Sequence, residues 1–154
     1  MINMGLVKIK GVDVVLQGLW KFGNDWVFDS RLSYTYQKAQ DFTDKSDKDT
    51  YGGQISYIPW HSGSAILNAG YKSWELNYSF IYTGERYDVS ANTPENYRLP
   101  WYTSDFSLAK KFSWRKYDFK LTLEVNNIFN QQYEVVRSYP MPGTNFKFIL
   151  NLTI

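Results

Sequence analysis

Asn145-Phe-Lys-Phe-Ile-Leu-Asn-Leu-Thr-Ile154 is the stretch that decides how this chain folds. Phe146, Phe148, Leu150, Leu152 and Ile154 share one parity. Asn145, Lys147, Asn151 and Thr153 share the other, with Ile149 the only apolar residue among them. Successive side chains of a strand point to opposite faces, so this is a ribbon apolar on one side and polar on the other. It runs about ten residues, roughly what a tilted strand needs to cross a bilayer.

Working outward, the same alternation predicts six further strands. Tyr117 to Asn126 sets Tyr117, Phe119, Leu121, Leu123 and Val125 against Asp118, Lys120, Thr122, Glu124 and Asn126. Phe106 to Phe112 and Trp74 to Thr83 repeat the pattern, as do Ser62 to Lys72 and Trp26 to about Gln40. The first strand spans Val7 to Phe22. There Val7 and Ile9 fall out of phase with Val12, Val14 and Leu16, which predicts a bulge near Gly11. Residues Tyr51 to Ile58 read as extended, and Pro59 belongs at a bulge or above a membrane because it cannot donate to a ladder. Short turns near residues 24, 72 and 114 alternate with long loops near 45, 95 and 137. Outer-membrane barrels have this asymmetry, with turns in the periplasm and loops outside. The expected fold is all-β, an antiparallel up-and-down transmembrane β-barrel segment of about seven strands. With an odd strand count the barrel is incomplete.

Aromatic placement separates this reading from a soluble carbohydrate-binding β-sandwich, which also alternates apolar and polar residues. Trp20, Phe22, Trp26, Phe28, Tyr71, Trp74, Phe112, Trp114 and Tyr117 crowd the three short turns. Amphipathic rings collect at membrane interfaces, where one edge is apolar and the other wet. Trp20, Trp26, Trp74, Trp114 and Tyr117 are the candidate interface residues.

Six short motifs carry a family resemblance. Asn126-Asn127-Ile128-Phe129-Asn130-x-x-Tyr133 resembles the Asn-Leu-Phe-Asp-x-x-Tyr signature of TonB-dependent outer-membrane receptors. Tyr139-Pro-Met-Pro-Gly143 with the strand after it is similar to that family's last loop and strand. Gly11-Val12-Asp13, Pro59-Trp60-His61, Tyr82-Thr-Gly-Glu-Arg-Tyr87 and Leu99-Pro-Trp-Tyr102 resemble further elements in the family's order. The chain departs from the family in ending on Ile154 rather than an aromatic residue, and in carrying Thr144 where Arg is common. The resemblance implies that residues 1–154 are the C-terminal segment of a barrel of about twenty-two strands, without its plug domain. It further implies a multi-pass protein of the outer membrane of a Gram-negative bacterium. Its partners would be outer-membrane lipid, the rest of its own barrel and plug, the TonB complex through a missing N-terminal region, and an extracellular solute. Ferric siderophores, cobalamin, haem and glycans are the family's solute classes. A passive porin-like barrel is the alternative within membranes.

Composition agrees. Aromatic residues make up 19% of the chain and there are no cysteines, so neither a disulfide nor a thiolate metal site can form. The net charge of +2, with both signs scattered, gives no nucleic-acid footprint. No apolar run is long enough for a transmembrane helix. Met1-Ile-Asn-Met-Gly lacks the features of a signal peptide, so the chain is expected to be part of a longer one.

No catalytic constellation is visible. His61 has no cysteine or acid pair near it, and no serine lies in a nucleophile-like context. Asp44, Asp47 and Asp49 are interleaved with Lys45 and Lys48 and read as a solvated loop rather than a cation site. No metal or cofactor is expected. Candidate ligand contacts lie in the second and third loops, namely Arg86, Tyr97, Arg137 and Tyr139, since rings stack and guanidinium forks hold carboxylates or phosphates.

Overall fold

The structure, a computed structural model, describes residues 5–153. Ile154 and the first four residues, on which the leader and chain-end readings rest, lie outside the described residues. Seven strands form one antiparallel sheet: β1 (Val7–Phe22), β2 (Trp26–Asp41), β3 (His61–Tyr71), β4 (Trp74–Thr83), β7 (Trp101–Trp114), β8 (Tyr117–Asn126) and β11 (Asn145–Thr153). Neighbours in the sheet follow chain order, and β1 and β11 do not close on each other. Two small hairpins stand in the loops, β5 (Arg86–Tyr87) with β6 (Tyr97–Arg98), and β9 (Glu134–Val136) with β10 (Tyr139–Pro140).

Register carries the alternation across all seven strands. Leu16 faces Leu32, Leu32 faces Ala65, and Ala65 faces Phe80. Leu76 faces Leu108, Leu108 faces Leu123, and Leu123 faces Phe148. Directly opposed residues share a face, so one side of the sheet carries an apolar band across all seven strands. The other carries a polar ladder. Thr35 donates to Asp13 at 2.6 Å, Ser33 and Ser64 share a bond of 2.7 Å, Asn77 donates to Asn68 at 2.6 Å and Asn68 to Asp29 at 2.9 Å. This polar face is concave, enclosing a trough of about 800 Å³ lined from six strands.

Nothing among the described residues covers the apolar face. Among the described residues Ala39 and Ala109 are the only buried hydrophobic ones, while Leu123 is 50% exposed and Phe148 66%. A soluble sandwich would pack this face against a second sheet. A face this wide and bare needs lipid instead. Expressed alone, the chain should sediment in plain buffer and disperse as a sheet-rich species only in detergent. A monodisperse monomer in buffer with a cooperative melt would contradict this.

Three expectations are corrected. The β1–β2 register runs unbroken from Val7 opposite Asp41 to Phe22 opposite Trp26, so there is no bulge at Gly11. A Cβ there would meet the Tyr36 carbonyl oxygen at 2.5 Å, so the glycine admits a close backbone approach. Val7 and Ile9 face the concave side. Residues Tyr51 to Ile58 fold into turns rather than an extended run, with Tyr57 at φ 60°, because Gln54 is drawn under the second loop. The β7 strand begins at Trp101, five residues before Phe106. Its upper half is polar on both faces, and Thr103 and Ser104 hide the alternation. Pro59 takes one of its two expected places, in the loop above the sheet, since β2 ends at Asp41 and β3 starts at His61.

Candidate functional site

All three short turns lie at one end of the sheet and all three long loops at the other. Gly23, Lys72 and Arg115 take positive φ in the turns, which keeps them tight. Aromatic rings line the outer face just above. Trp26 packs on Tyr71 with ring centroids 4.3 Å apart, and Phe112 on Phe119 at 5.1 Å. Cations cap this layer: Lys110 over Trp74 at 4.2 Å, Arg115 over Trp114 at 5.1 Å and Lys116 over Tyr117 at 5.3 Å. Trp20, Trp26, Trp74 and Trp114 are all exposed here. At the opposite end Tyr36 and Tyr34 lie against His61, and the Tyr34 hydroxyl shares a 2.8 Å hydrogen bond with His61 Nδ1.

The loops form an ordered rim rather than separate excursions. Pro94 opens a 3-10 turn that closes the second loop, and Asn96 holds it by donating to Ala91 and Thr93. Gln54 of the first loop is buried, donating to the Ile58 carbonyl at 2.7 Å and the Glu85 carbonyl at 3.3 Å. Asn92 accepts from the Gln54 amide and donates to its carbonyl. In the first loop Asp44 accepts from Ser46, and Asp47 from the Asp49 amide, so both carboxylates fold the loop itself.

The three loops meet at Arg86 and Asp88. Arg86 is 3% exposed and reaches into the third loop, donating from Nη2 to the Glu134 carbonyl at 2.9 Å and the Val135 carbonyl at 3.2 Å. Burial pulls its guanidinium below the ordinary arginine value, and the neighbouring Tyr57 and Asp88 oppose this. Asp88, 5% exposed, takes the Arg98 guanidinium on one oxygen, with Arg137 Nε 3.6 Å from the same atom. Tyr57 joins the first loop to the others through its amide, on the Tyr87 carbonyl at 2.8 Å, and its hydroxyl, 3.5 Å from the Arg137 amide.

Of the four candidate ligand residues, Arg86 and Arg137 thus come together around Asp88. Tyr97 packs edge-on against Tyr87 at 5.7 Å, and burial raises its hydroxyl above the ordinary tyrosine value. Tyr139 stands apart on β10, 70% exposed. Tyr97 also borders a recess of about 430 Å³ between the second and third loops. Its wall is Trp101 stacked on Tyr133 at 4.5 Å, with Arg98, Gln131, Gln132 and Glu134 around it. Trp101 Nε1 is buried without an acceptor among the described residues. Burial and Asp105 raise the Tyr133 hydroxyl. Such a recess can stack a planar or sugar ring and hold its substituents with amide and guanidinium donors.

Sequence reading missed Asp88 and Tyr57; Arg98, Trp101 and Tyr133 stood out as loop residues suited to ligand capture, but nothing in the sequence showed that Trp101 stacks on Tyr133 or that Arg98 pairs with Asp88. The alternation Arg86-x-Asp88 with Arg98 one turn away was the available signal, since β5 and β6 place Arg86 opposite Arg98. Residues 1–128 match the family model described as TonB dependent receptor-like, beta-barrel.

Proposed function

The chain belongs to the TonB-dependent receptor β-barrel family, and from that membership we propose that it supplies the C-terminal strands of a receptor that takes up a large, scarce solute with TonB-coupled energy. Membership makes it part of an outer-membrane transport barrel, and the family is one of transporters rather than enzymes. The proposal adds the plug and TonB contact as partners from elsewhere in a longer chain, and the rim loops as a place where solute is captured. One observation carries it: a bare apolar outer face, a polar concave face and a cross-tied loop rim occur on one sheet. That rim offers stacked rings and guanidinium groups on a rigid scaffold, which is where binding residues usually sit.

The rim contacts divide by their surroundings. Arg86 acts by holding the third loop through two backbone carbonyls. Tyr97, Tyr139 and Arg137 are open to a solute. Changing Arg86, Arg137, Tyr97 and Tyr139 together to Ala in the intact receptor should weaken surface binding of its solute by at least about tenfold while the barrel still inserts. Tyr97→Ala with Tyr139→Ala alone should produce part of that loss without loosening the loops. Unchanged affinity in a correctly inserted quadruple variant would overturn capture by this rim.

A further inference from the structure

Between the second and third loops, the recess of about 430 Å³ joins stacked rings to polar groups. Trp101 and Tyr133 form its apolar wall, stacked at 4.5 Å, and Tyr97 adds a third, exposed ring. Gln131 and Gln132 bring amides to it and Glu134 a carboxylate. Its parts are held before any solute arrives. Trp101 pairs with Thr83 of β4, and β7 lies inside the sheet, away from the open edges. The Tyr133 carbonyl takes the Met141 amide at 3.0 Å, and the Gln131 amide donates to Asn127 at 2.9 Å. Rings and backbone fixed in this way lose little freedom when a ligand docks, which favours affinity.

Charge decides which solutes suit this recess. Its lining has one guanidinium, that of Arg98, whose Nε already donates to Asp88 at 2.7 Å with Nη2 on the same oxygen. Glu134 then adds a carboxylate, one oxygen of which takes the Ser138 amide at 2.9 Å. A phosphate, a carboxylate or an anionic iron chelate would find no spare positive charge here and would face Glu134. A sugar ring meets the opposite situation. Its C–H face is apolar and can lie flat on an indole or phenol ring. Its hydroxyls donate to carboxylates and accept from amides. The volume is near the small end of the range for ligand pockets, about 300–1,000 Å³, which suits one part of a larger solute.

We propose that this recess is a subsite for a neutral sugar ring of an oligosaccharide. The C–H face of the sugar stacks on the Trp101–Tyr133 wall, one hydroxyl donates to Glu134 and another accepts from the Gln132 side-chain amide. The receptor's solute is then a neutral glycan. Asp88 and Glu134 set that choice, the first by occupying Arg98 and the second by repelling anions. This deepens the transport reading and rests on it, but it can fail while that reading stands.

The test uses the intact receptor in a detergent without a sugar headgroup, titrated calorimetrically with neutral oligosaccharides of glucose, mannose, galactose and xylose. Oligogalacturonate, haemin and a ferric catecholate serve as anionic probes. At least one neutral oligosaccharide should bind wild type, with the anionic probes at least about tenfold weaker. Trp101→Ala should weaken that oligosaccharide by at least about tenfold through the lost stack. Trp101 lies in a strand, so Gln132→Ala with Glu134→Gln, both exposed in the loop, gives a second reading. That pair should lose about fivefold, and its lost carboxylate should narrow the gap to oligogalacturonate. Unchanged affinity in either variant, correctly inserted, would overturn the proposal, as would no binding by any neutral oligosaccharide of the set. Haemin or the ferric catecholate bound in place of every oligosaccharide would remove the sugar subsite and leave the transport reading standing. Oligosaccharide bound in micelles but never accumulated by cells through TonB would do the reverse.

Discussion

Leu123→Arg in the intact receptor should destabilise the inserted barrel by about 2–4 kcal/mol, the cost of a cation near the bilayer midplane on the lipid face. Leu123 is 50% exposed on the outer face, between Leu108 and Phe148. It lies between the aromatic layer at the turns and the layer around Tyr102 and Phe129, so its arginine would have the longest path to either interface. The neighbouring position 124 points the other way. Glu124 faces the concave side, with Lys147 Nζ 3.7 Å away across the β8–β11 pair. Glu124→Gln removes an ion pair with an exposed partner and should cost less than about 1 kcal/mol. Unfolding in denaturant from lipid vesicles measures both. Equal tolerance at the two positions would remove the assignment of outer and inner faces.

Asn127→Ala should cost about 3–5 kcal/mol, from two separable sources. The side chain is buried in the knot that starts the third loop, donating to the Gln131 carbonyl at 2.9 Å and the Pro142 carbonyl at 3.1 Å, and accepting from the Gln131 amide at 2.9 Å. Its own amide donates to Asp105 at 2.7 Å, and its carbonyl takes the Thr144 hydroxyl at 2.7 Å. Truncation leaves the Gln131 amide and two carbonyls without partners, at about 1–3 kcal/mol for each group that stays buried. The backbone is at φ 50°, where asparagine is tolerated and alanine adds about 1–2 kcal/mol. Asn127→Gly should recover that backbone share and no more. Protease cutting within residues 127–144 should accelerate in both variants. If Asn127→Gly were as stable as the wild type, the side-chain knot would carry no weight.

This knot explains a motif that the sequence showed only as a resemblance. Asn126-Asn127-Ile128-Phe129-Asn130 ends β8, and Asn127 and Asn130 both turn through positive φ. Asn130 then caps the return by accepting from the Thr144 amide at 3.2 Å. Asparagine is wanted at both places because it is short, tolerates this backbone and offers a donor and an acceptor together. The spacing was legible beforehand, but the partners it joins, Pro142 and Thr144, come from the far end of the loop.

Strand existence and facing were determined by the sequence alone, because a period of two is a local property of neighbouring residues. Tyr117 to Asn126 and Trp74 to Thr83 appear where the alternation put them. The turns were equally local, since the chain has two or three residues in which to reverse. Tertiary structure decided what a period of two cannot express. At Gly11 the phase change marked a close crossing over Tyr36 rather than a bulge, and the partner strand lies more than twenty residues away. Trp101 to Asp105 joined β7 although their polarity gave no alternation, because β4 supplied backbone partners along their whole length. The rim shows this most clearly. Arg86 looked from its sequence like an open ligand contact, and only the arrival of Glu134 and Val135 from the third loop makes it a buried tie. Side-chain facing follows from adjacent residues in the chain, but burial and pairing in loops depend on segments brought together across the whole sheet, and those contacts exist only once it has formed.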